Sequence, residues 1–536
     1  MKILHNAKIY TFDKSRPNAT AIAIDHGEII AVGGDELLRE FDRAEKEDLR
    51  GRAVLPGLTD AHLHFQYYSL GLQKIDCETD TLEECLRRVK ARVEKAKAGE
   101  WILGHGWNQN AWPLSPNRRE TGSEGNWPTA SDLDQISPSN PVYLTAKSLH
   151  AGWANSAAMK LAGITASLPD PVNGQLQRDS RGALTGILLE SAMELIHQAL
   201  PAPTIDEIAH AMEKAQPILW KMGLTGVHDF DRRDSFMALQ QLHAQGKLKL
   251  RVTKNIPVEL LNQAFDLGLR TGFGDDWLRI GSVKAFMDGA LGPRTAAMFQ
   301  AYEGEPDNKG ILNMDGEQLF EYGRHAADVG LGMTVHAIGD RANHEVLNAY
   351  EQLRKYESEK GLPHLRHRIE HVQVLHPDDV TRLATLNVVA SMQPIHATSD
   401  MLMADKYWGA RTSLAYALRT QLDAGAHVAF GSDAPVESPN PFWGIHAAVT
   451  RRRADGSPGP NGWHLEQRLT LQEAIEGFTL GAAYAAYAEN RQGKLAPGFV
   501  ADLIVPNKDP FILDPHEVKD CYSSATMVNG EWVYKE

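Results

Sequence analysis

Residues 55–64 read Leu-Pro-Gly-Leu-Thr-Asp-Ala-His-Leu-His. On an extended segment alternate side chains share a face, so His62 and His64 point the same way and one metal ion can take both imidazoles. A lone His-x-His pair is a weak signal, because surface and core histidines also occur at that spacing. Position strengthens this one: the pair follows a strand-like apolar run, Leu55–Asp60, and that run opens a longer pattern.

From this point the chain alternates short apolar runs with helical stretches, the pattern of βα units around a parallel sheet. The runs predict strands at Leu55–Asp60, Gly226–Phe230, Lys249–Asn255, Ile280–Phe286, Gly332–His336, Arg368–Val372, Val388–Met392 and His427–Gly431. Eight such units predict an α/β protein built on a (β/α)8 TIM barrel, whose chemistry sits where the strands end. The gap between the first two strands is too long for one βα connection, so residues 66–222 are expected to form an insert. It opens with a helix over Thr81–Lys97, with Leu82, Leu86 and Val89 on one face, and then turns Trp-, Pro- and Gly-rich. A lid over the barrel mouth and a surface decoration are both open readings of it.

The two ends of the chain have a different texture. Residues 1–54 alternate like short strands, with Asp-His-Gly-Glu at 25–28 as a hairpin turn, and residues 488–536 contain a second hairpin signal at Asn529-Gly530. The termini are therefore expected to pair into one β domain, with the barrel over 55–487 between them.

Composition narrows the function. With 43% hydrophobic and 23% charged residues the chain reads as globular and soluble. Lys and Arg total 55 against 69 Asp and Glu, a net charge of -14, which argues against binding a phosphate backbone. There is no signal-like or membrane-length apolar run, and three cysteines without metal spacing suit a reducing compartment, so a cytoplasmic protein with no membrane or nucleic-acid partner is expected. The acidic surface and exposed β ends permit a homodimer without requiring one.

Histidine placement carries the rest. His336 ends one predicted strand, His371 another, and Asp433 follows a third. Each has an ordinary explanation, as a capped strand end or a turn before Pro435, but the same placement recurring around one barrel points to a metal site. Lys284 ends the predicted fourth strand. A lysine inside such a barrel would have a depressed pKa, and its neutral amine could capture carbon dioxide as a carbamate; an unmodified lysine neutralising a carboxylate is the alternative.

Together, His62-Leu63-His64 after LPGLTDA, Lys284, HAIGD, IEHVQ, GSDAP and GKLAPGFVADLIV resemble the amidohydrolase superfamily of metal-dependent hydrolases. GHGWNQNAW, SPSNPVYLTAKSLHAGWANSAAM, GLTGVHDFD, SVKAFMDGALGPRTAA, SMQPIHATSD and TLQEAIEGFTLGAAYAA, in that order, narrow the resemblance to amidohydrolase family 3, the branch that includes N-substituted formamide deformylases. The resemblance implies a distorted barrel flanked by a β-sandwich from both termini. It also implies metal-ligand roles for His62, His64, carboxylated Lys284, His336, His371 and Asp433. Ser148-Leu149-His150 and Gly292-Pro293-Arg294 depart from the family's usual Asp-Gly-His and Gly-Ser-Arg, which bears on specificity.

On this reading His62 and His64 hold one ion with Asp433, His336 and His371 hold another, and Lys284 bridges them. Two Zn2+ are the expected pair, with iron, manganese or cobalt left open by the ligand types. They would lower the pKa of a bridging water from ~15.7 toward ~7, with Asp433 as general base and then acid. Trp107, Asn108, His150, Asp288, Arg294, Gln393 and His396 are candidate contacts to a small-molecule substrate. Asp340 is a candidate to orient His336, and His228 and Asp229 could face the site or pack at the strand end. The expected reaction is hydrolysis of a non-peptide carbon–nitrogen bond in an amide, such as an N-substituted formamide or N-acyl compound. Ester or lactone hydrolysis, deamination, isomerisation and a non-catalytic regulatory role are the alternatives.

Overall fold

The computed structural model describes residues 1–108, 112, 127–146, 151–171 and 174–536. Eight strands form one all-parallel sheet in sequence order: β1 Leu58–Leu63, β2 Leu224–Asp229, β3 Arg251–Pro257, β4 Leu278–Phe286, β5 Met333–Ala337, β6 Arg368–His371, β7 Val389–Met392 and β8 Val428–Phe430. All eight overlap the runs read from the sequence. Strands such as β2 and β6 are buried along their whole length, as a parallel sheet covered on both faces requires. Helices supply the outer cover. Asp340–Lys360 is one, burying Ala342, Val346 and Leu353 on its inner face and stopping at Gly361 in the left-handed conformation (φ 65°).

The sheet curls until its edges meet: Leu63 bridges Ala434 in parallel, His64 N–H donates to Ala434 C=O at 2.9 Å, and Asp433 N–H donates to His62 C=O at 2.7 Å. This brings residues some 370 positions apart in sequence into one backbone ladder, and it puts the His-x-His pair beside the aspartate.

The first strand differs from its expected limits. Ala53–Pro56 belongs to another sheet, where Leu55 pairs with Ile504, and the barrel strand starts only at Leu58. Gly57 makes the break between them, packed so closely that a Cβ there would lie 2.3 Å from the Thr225 hydroxyl.

Strands from both chain ends form two further sheets. One has four strands, all from residues 2–48. The other has six: Lys8–Tyr10, Asn18–Ala19 and Ala53–Pro56 from the N-terminal side, and Leu503–Pro506, Ser523–Val528 and Glu531–Lys535 from the C-terminal side. Leu4, Ile22 and Ile29 from the first sheet share a core with Ile9, Val54, Leu503 and Met527 from the second, giving a sandwich. Both hairpins form at the positions their turn residues indicate, with His26-Gly27 and Asn529-Gly530 all at positive φ.

Ser69–Glu207 is a separate compact unit, somewhat shorter than the expected insert, because the helix Ile205–Lys221 lies almost wholly in the barrel unit. It is built on a mixed six-stranded sheet. Its first long helix, Leu82–Val93, is capped by Thr81, which accepts from Glu84 N–H at 3.2 Å, and ends earlier than expected. Among the described residues no helix is long and apolar enough to cross a membrane.

One buried ion pair joins β3 to the C-terminal segment. Arg251 holds Asp502 through two guanidinium contacts, with the side chains 5% and 9% exposed, and Asp502 also accepts from Asn529 N–H at 2.8 Å. Asp502→Ala strands a buried guanidinium, so a loss of about 3–5 kcal/mol is expected. Thermal denaturation beside an Arg251→Met/Asp502→Leu double variant checks this, since the apolar pair should recover most of the loss.

Candidate metal centre

The strand exits collect the six residues singled out as ligands. His62 lies near the end of β1 with His64 just beyond it. Lys284 lies in β4, His336 in β5, His371 at the end of β6 and Asp433 three residues past β8. His62 and His64 aim Nε2 at the same atom, Asp433 Oδ1, from 3.5 and 3.4 Å.

The opposite ring nitrogens explain that aim. His62 Nδ1–H donates to Glu370 at 2.6 Å and His64 Nδ1–H to Asp231 at 3.0 Å. A carboxylate only accepts, so Nδ1 of each ring carries a proton, and Nε2 is the nitrogen turned inward, the one a metal would take. His371 repeats it, Nδ1–H donating to Gln393 Oε1 at 2.8 Å. His336 is reversed: Nε2–H donates to Gly289 C=O at 2.9 Å, which leaves Nδ1 bare. The His62 ring is fixed further by stacking on Phe230, centroids 3.9 Å apart.

Two triads bring potential ligand atoms within 4.8 Å of one another: His62, His64 and Asp433, and His371, His396 and Asp433. Asp433 belongs to both. His336 stands outside them, its ring centroid 4.5 Å from that of His371. Lys284 is buried between Phe230 and Phe286, its Nζ 4.8 and 4.7 Å from the ring centroids. Among the described residues it has no carboxylate within 4.0 Å.

Burial sets most of the charges. It lowers His62 to about 4, His336 to about 3 and His371 well below the usual imidazole range, which keeps these rings neutral as ligands must be. Burial also lowers Lys284, to about 8. His64 is the exception: burial lowers it too, but Asp231 and Asp433 outweigh that and raise it to about 9. A bound cation would displace that proton. Asp433 would be raised by burial, yet the His64 hydrogen bond and the neighbouring imidazoles hold it well below the carboxylate range. Convergent ring nitrogens, a shared carboxylate and a buried amine without an ion-pair partner among the described residues fit a divalent cation.

A layer of buried charge braces this set. Arg368 pairs with Glu370 at 2.8 Å and donates to Ala61 C=O, Ser391 and His228 Nδ1 at 2.9 Å each. Asp60 accepts N–H groups from His62 and Ser432, both at 3.0 Å. Asp229 accepts from Phe65 N–H, Ser235 and Lys254, so His228 and Asp229 are both occupied inside the barrel. His371 (φ 78°) and Asp433 (φ 60°) lie in the left-handed region, a strain of about 1–3 kcal/mol each that such bracing sustains.

The candidate substrate contacts separate. Gln393 and His396 stand at the exit of β7, next to His371. Asp288 is buried and accepts from the N–H groups of Ala297, Ile338 and Gly339, which ties the loops after β4 and β5 together. Its Oδ1 lies 3.6 Å from His336 Nε2. Asp340, expected to orient His336, instead accepts from Phe299 and Arg341 N–H. Arg294 pairs with Glu305 at 3.0 Å and lies over the Tyr407 ring. Trp107 is wholly buried in the core of the Ser69–Glu207 unit, its indole N–H donating to Leu144 C=O at 2.9 Å, and Asn108 follows it. His150 lies outside the described residues.

Glu370, Asp231, Asp60 and Gln373 were not singled out from the sequence. The available signal was ionisable residues inside runs otherwise apolar enough to be barrel strands: Arg368 and Glu370 in RHRIEHVQ, Asp229 and Asp231 in HDFD.

An eight-stranded parallel barrel with clustered imidazoles and a shared aspartate at its strand exits defines a metal-dependent hydrolase of the barrel class. The amidohydrolase family 3 model matches residues 45–534, and the chain belongs to that family. It is 33% identical over 555 residues to Protein LONG AFTER FAR-RED 3 of Arabidopsis thaliana, covering 99% of this chain and 91% of that one. It is 27% identical over 549 residues to N-substituted formamide deformylase of Arthrobacter pascens, covering 99% and 97%. Among solved structures, a metal-dependent hydrolase from Pyrococcus furiosus superposes with a TM-score of 0.77 at 30% identity, over 95% of this chain and 99% of that one.

Asp231→Asn preserves shape but removes the charge that holds the His64 proton on Nδ1. Metal affinity should fall by about 10–100-fold, as for other outer partners of ligating histidines. Competition with a chromophoric chelator measures it, and an unchanged affinity would remove Asp231 from this role.

Proposed function

We propose that the protein hydrolyses a non-peptide carbon–nitrogen bond in a small molecule, an amide of the N-substituted formamide or N-acyl type. The observation that carries the proposal is the convergence of His62 and His64 Nε2 on Asp433 Oδ1 beside an unpaired, buried Lys284. The relative named N-substituted formamide deformylase supports the choice of bond.

His62, His64, His336, His371 and Asp433 would hold divalent metal, two ions of which zinc is the first candidate, with Lys284 contributing as a carbamate. Bound there, such an ion supplies Lewis acidity, polarising a carbonyl and acidifying water toward about 7. Asp433 is the group to move the proton. Held well below the carboxylate range, it is ionised at neutral pH, so it can take a proton from attacking water and return it to the departing amine. Glu370, Asp231 and Gln393 each hold the Nδ1 proton of an imidazole, so Nε2 of His62, His64 and His371 is the nitrogen presented to the metal, which at His64 displaces a proton shared with Asp433. Phe230 and Phe286 dry the surroundings of Lys284 and favour its neutral amine.

His62→Ala/His64→Ala should strip metal and abolish turnover, and Asp433→Asn should remove turnover. The assay is a panel of N-formyl and N-acyl amines, esters, lactones and carbamates with zinc- or manganese-loaded enzyme. Turnover confined to esters or lactones, or full metal occupancy in the double variant, would sink this reading.

Lys284 gives a pH signature. The amine, lowered to about 8, becomes neutral as pH rises through that value, and only the neutral form captures carbon dioxide. Reconstitution of stripped enzyme at pH 8.5 with bicarbonate should therefore restore more metal than at pH 6.5 without it. Lys284→Met should lose that bicarbonate dependence, and a bicarbonate-independent wild type would refute the carbamate.

A further inference from the structure

Among the described residues, His396 is the one histidine with a fully inaccessible ring nitrogen that makes no hydrogen bond. The residue is 6% exposed, and its Nε2 is inaccessible and makes no hydrogen bond. It sits in the first turn of the helix Pro394–Trp408, directly after β7, with its ring parallel to that of His371 (13°, centroids 6.3 Å apart). A ligating nitrogen of His396 falls within 4.8 Å of counterparts in His371 and Asp433. A buried polar nitrogen left without a partner is costly, so its retention here needs a group to receive it.

The chemical state of that nitrogen follows from a chain of contacts behind the ring. Gln373 Nε2 lies 3.3 Å from His396 Nδ1, Gln373 Oε1 lies 3.1 Å from the Tyr416 hydroxyl, and that hydroxyl lies 2.7 Å from Asp400 Oδ2. Tyrosine has a single proton, and the carboxylate has none to give, so the hydroxyl donates to Asp400. Its oxygen can then only accept from Gln373. The two ends of a carboxamide are alike in size, and this proton count selects the orientation turned by 180°, with the amide nitrogen toward Tyr416 and the carbonyl toward His396. Nδ1 of His396 therefore carries the proton and donates it outward, which leaves Nε2 with a bare lone pair. His62, His64 and His371 show the same pattern, each with Nδ1–H held by an acceptor and Nε2 turned inward.

We propose that His396 is a metal ligand, its Nε2 joining His371 and Asp433 in a site that shares Asp433 with the His62–His64 pair. The inference rests on the hydrolase reading above and deepens it by assigning this residue to the metal rather than to substrate.

The test uses the full chain, stripped with chelator and reloaded with Zn2+ as the probe, with stoichiometry from elemental analysis and affinity from chelator competition. Wild type should bind two ions. His396→Ala and His396→Gln should lose one or hold it at least about 10-fold more weakly, a floor set by what outer partners alone contribute. Binding of both ions within about two-fold of wild type, with folding checked by circular dichroism, overturns the proposal, and a raised KM in such variants would return His396 to substrate contact. A crystal structure of zinc-loaded wild type decides the matter without any variant: Zn–Nε2 should be about 2.0–2.1 Å, and a separation beyond hydrogen-bond reach refutes the ligand role. A wild type that takes up none of zinc, iron, manganese or cobalt fails the proposed hydrolase reading itself, whereas metal held by His62 and His64 with His396 free fails only this inference.

Discussion

Asp433 N–H donating to His62 C=O, with His64 N–H donating to Ala434 C=O, is the contact on which the rest of the centre depends. It is a backbone ladder across the seam where the barrel meets itself, so the fold has to close for the histidine pair and the aspartate to meet. Asp60 reinforces the seam from below by accepting from both sides of it, His62 and Ser432. Because the bonds are main-chain, they fix the positions of the functional groups without using any of the side-chain nitrogens or oxygens that a cation needs.

Beneath the seam, buried charges serve the same end. Arg368 reaches Glu370, the Ala61 carbonyl, Ser391 and His228 from one guanidinium, and Glu370 in turn holds His62. A barrel core made only of apolar groups would be easier to stabilise, since buried ion pairs recover little more than their desolvation cost. What the network contributes is direction: each imidazole has one nitrogen committed to an outer partner, and the other faces inward. The left-handed backbone at His371 and Asp433 belongs to the same economy of strain and bracing.

Much of this was legible in the sequence. The eight apolar runs, the His-x-His at the end of the first, the histidines closing two others and the two hairpin turns all appear where alternation and turn chemistry placed them. The misreadings share one cause. Leu55 was assigned to the barrel because one apolar stretch feeds two sheets, and only its pairing with Ile504 tells them apart. Asp340 looked like the partner of His336 by nearness in sequence, whereas Gly289, from the preceding loop, takes that proton. Trp107, read as a candidate substrate contact, spends its indole N–H on Leu144 within its own unit.

The order and spacing of residue types determined the barrel, its strand exits and which imidazoles and carboxylate stand there, because period-two alternation and turn propensity are local properties of the chain. Which nitrogen of each imidazole faces inward was decided by tertiary structure alone. His62 depends on a carboxylate 308 positions away, His64 on one 167 away, and His396 on a contact chain through Gln373 and Tyr416 to Asp400. Tautomers follow from where protons can be donated, and those partners come together only when distant strands close into one barrel.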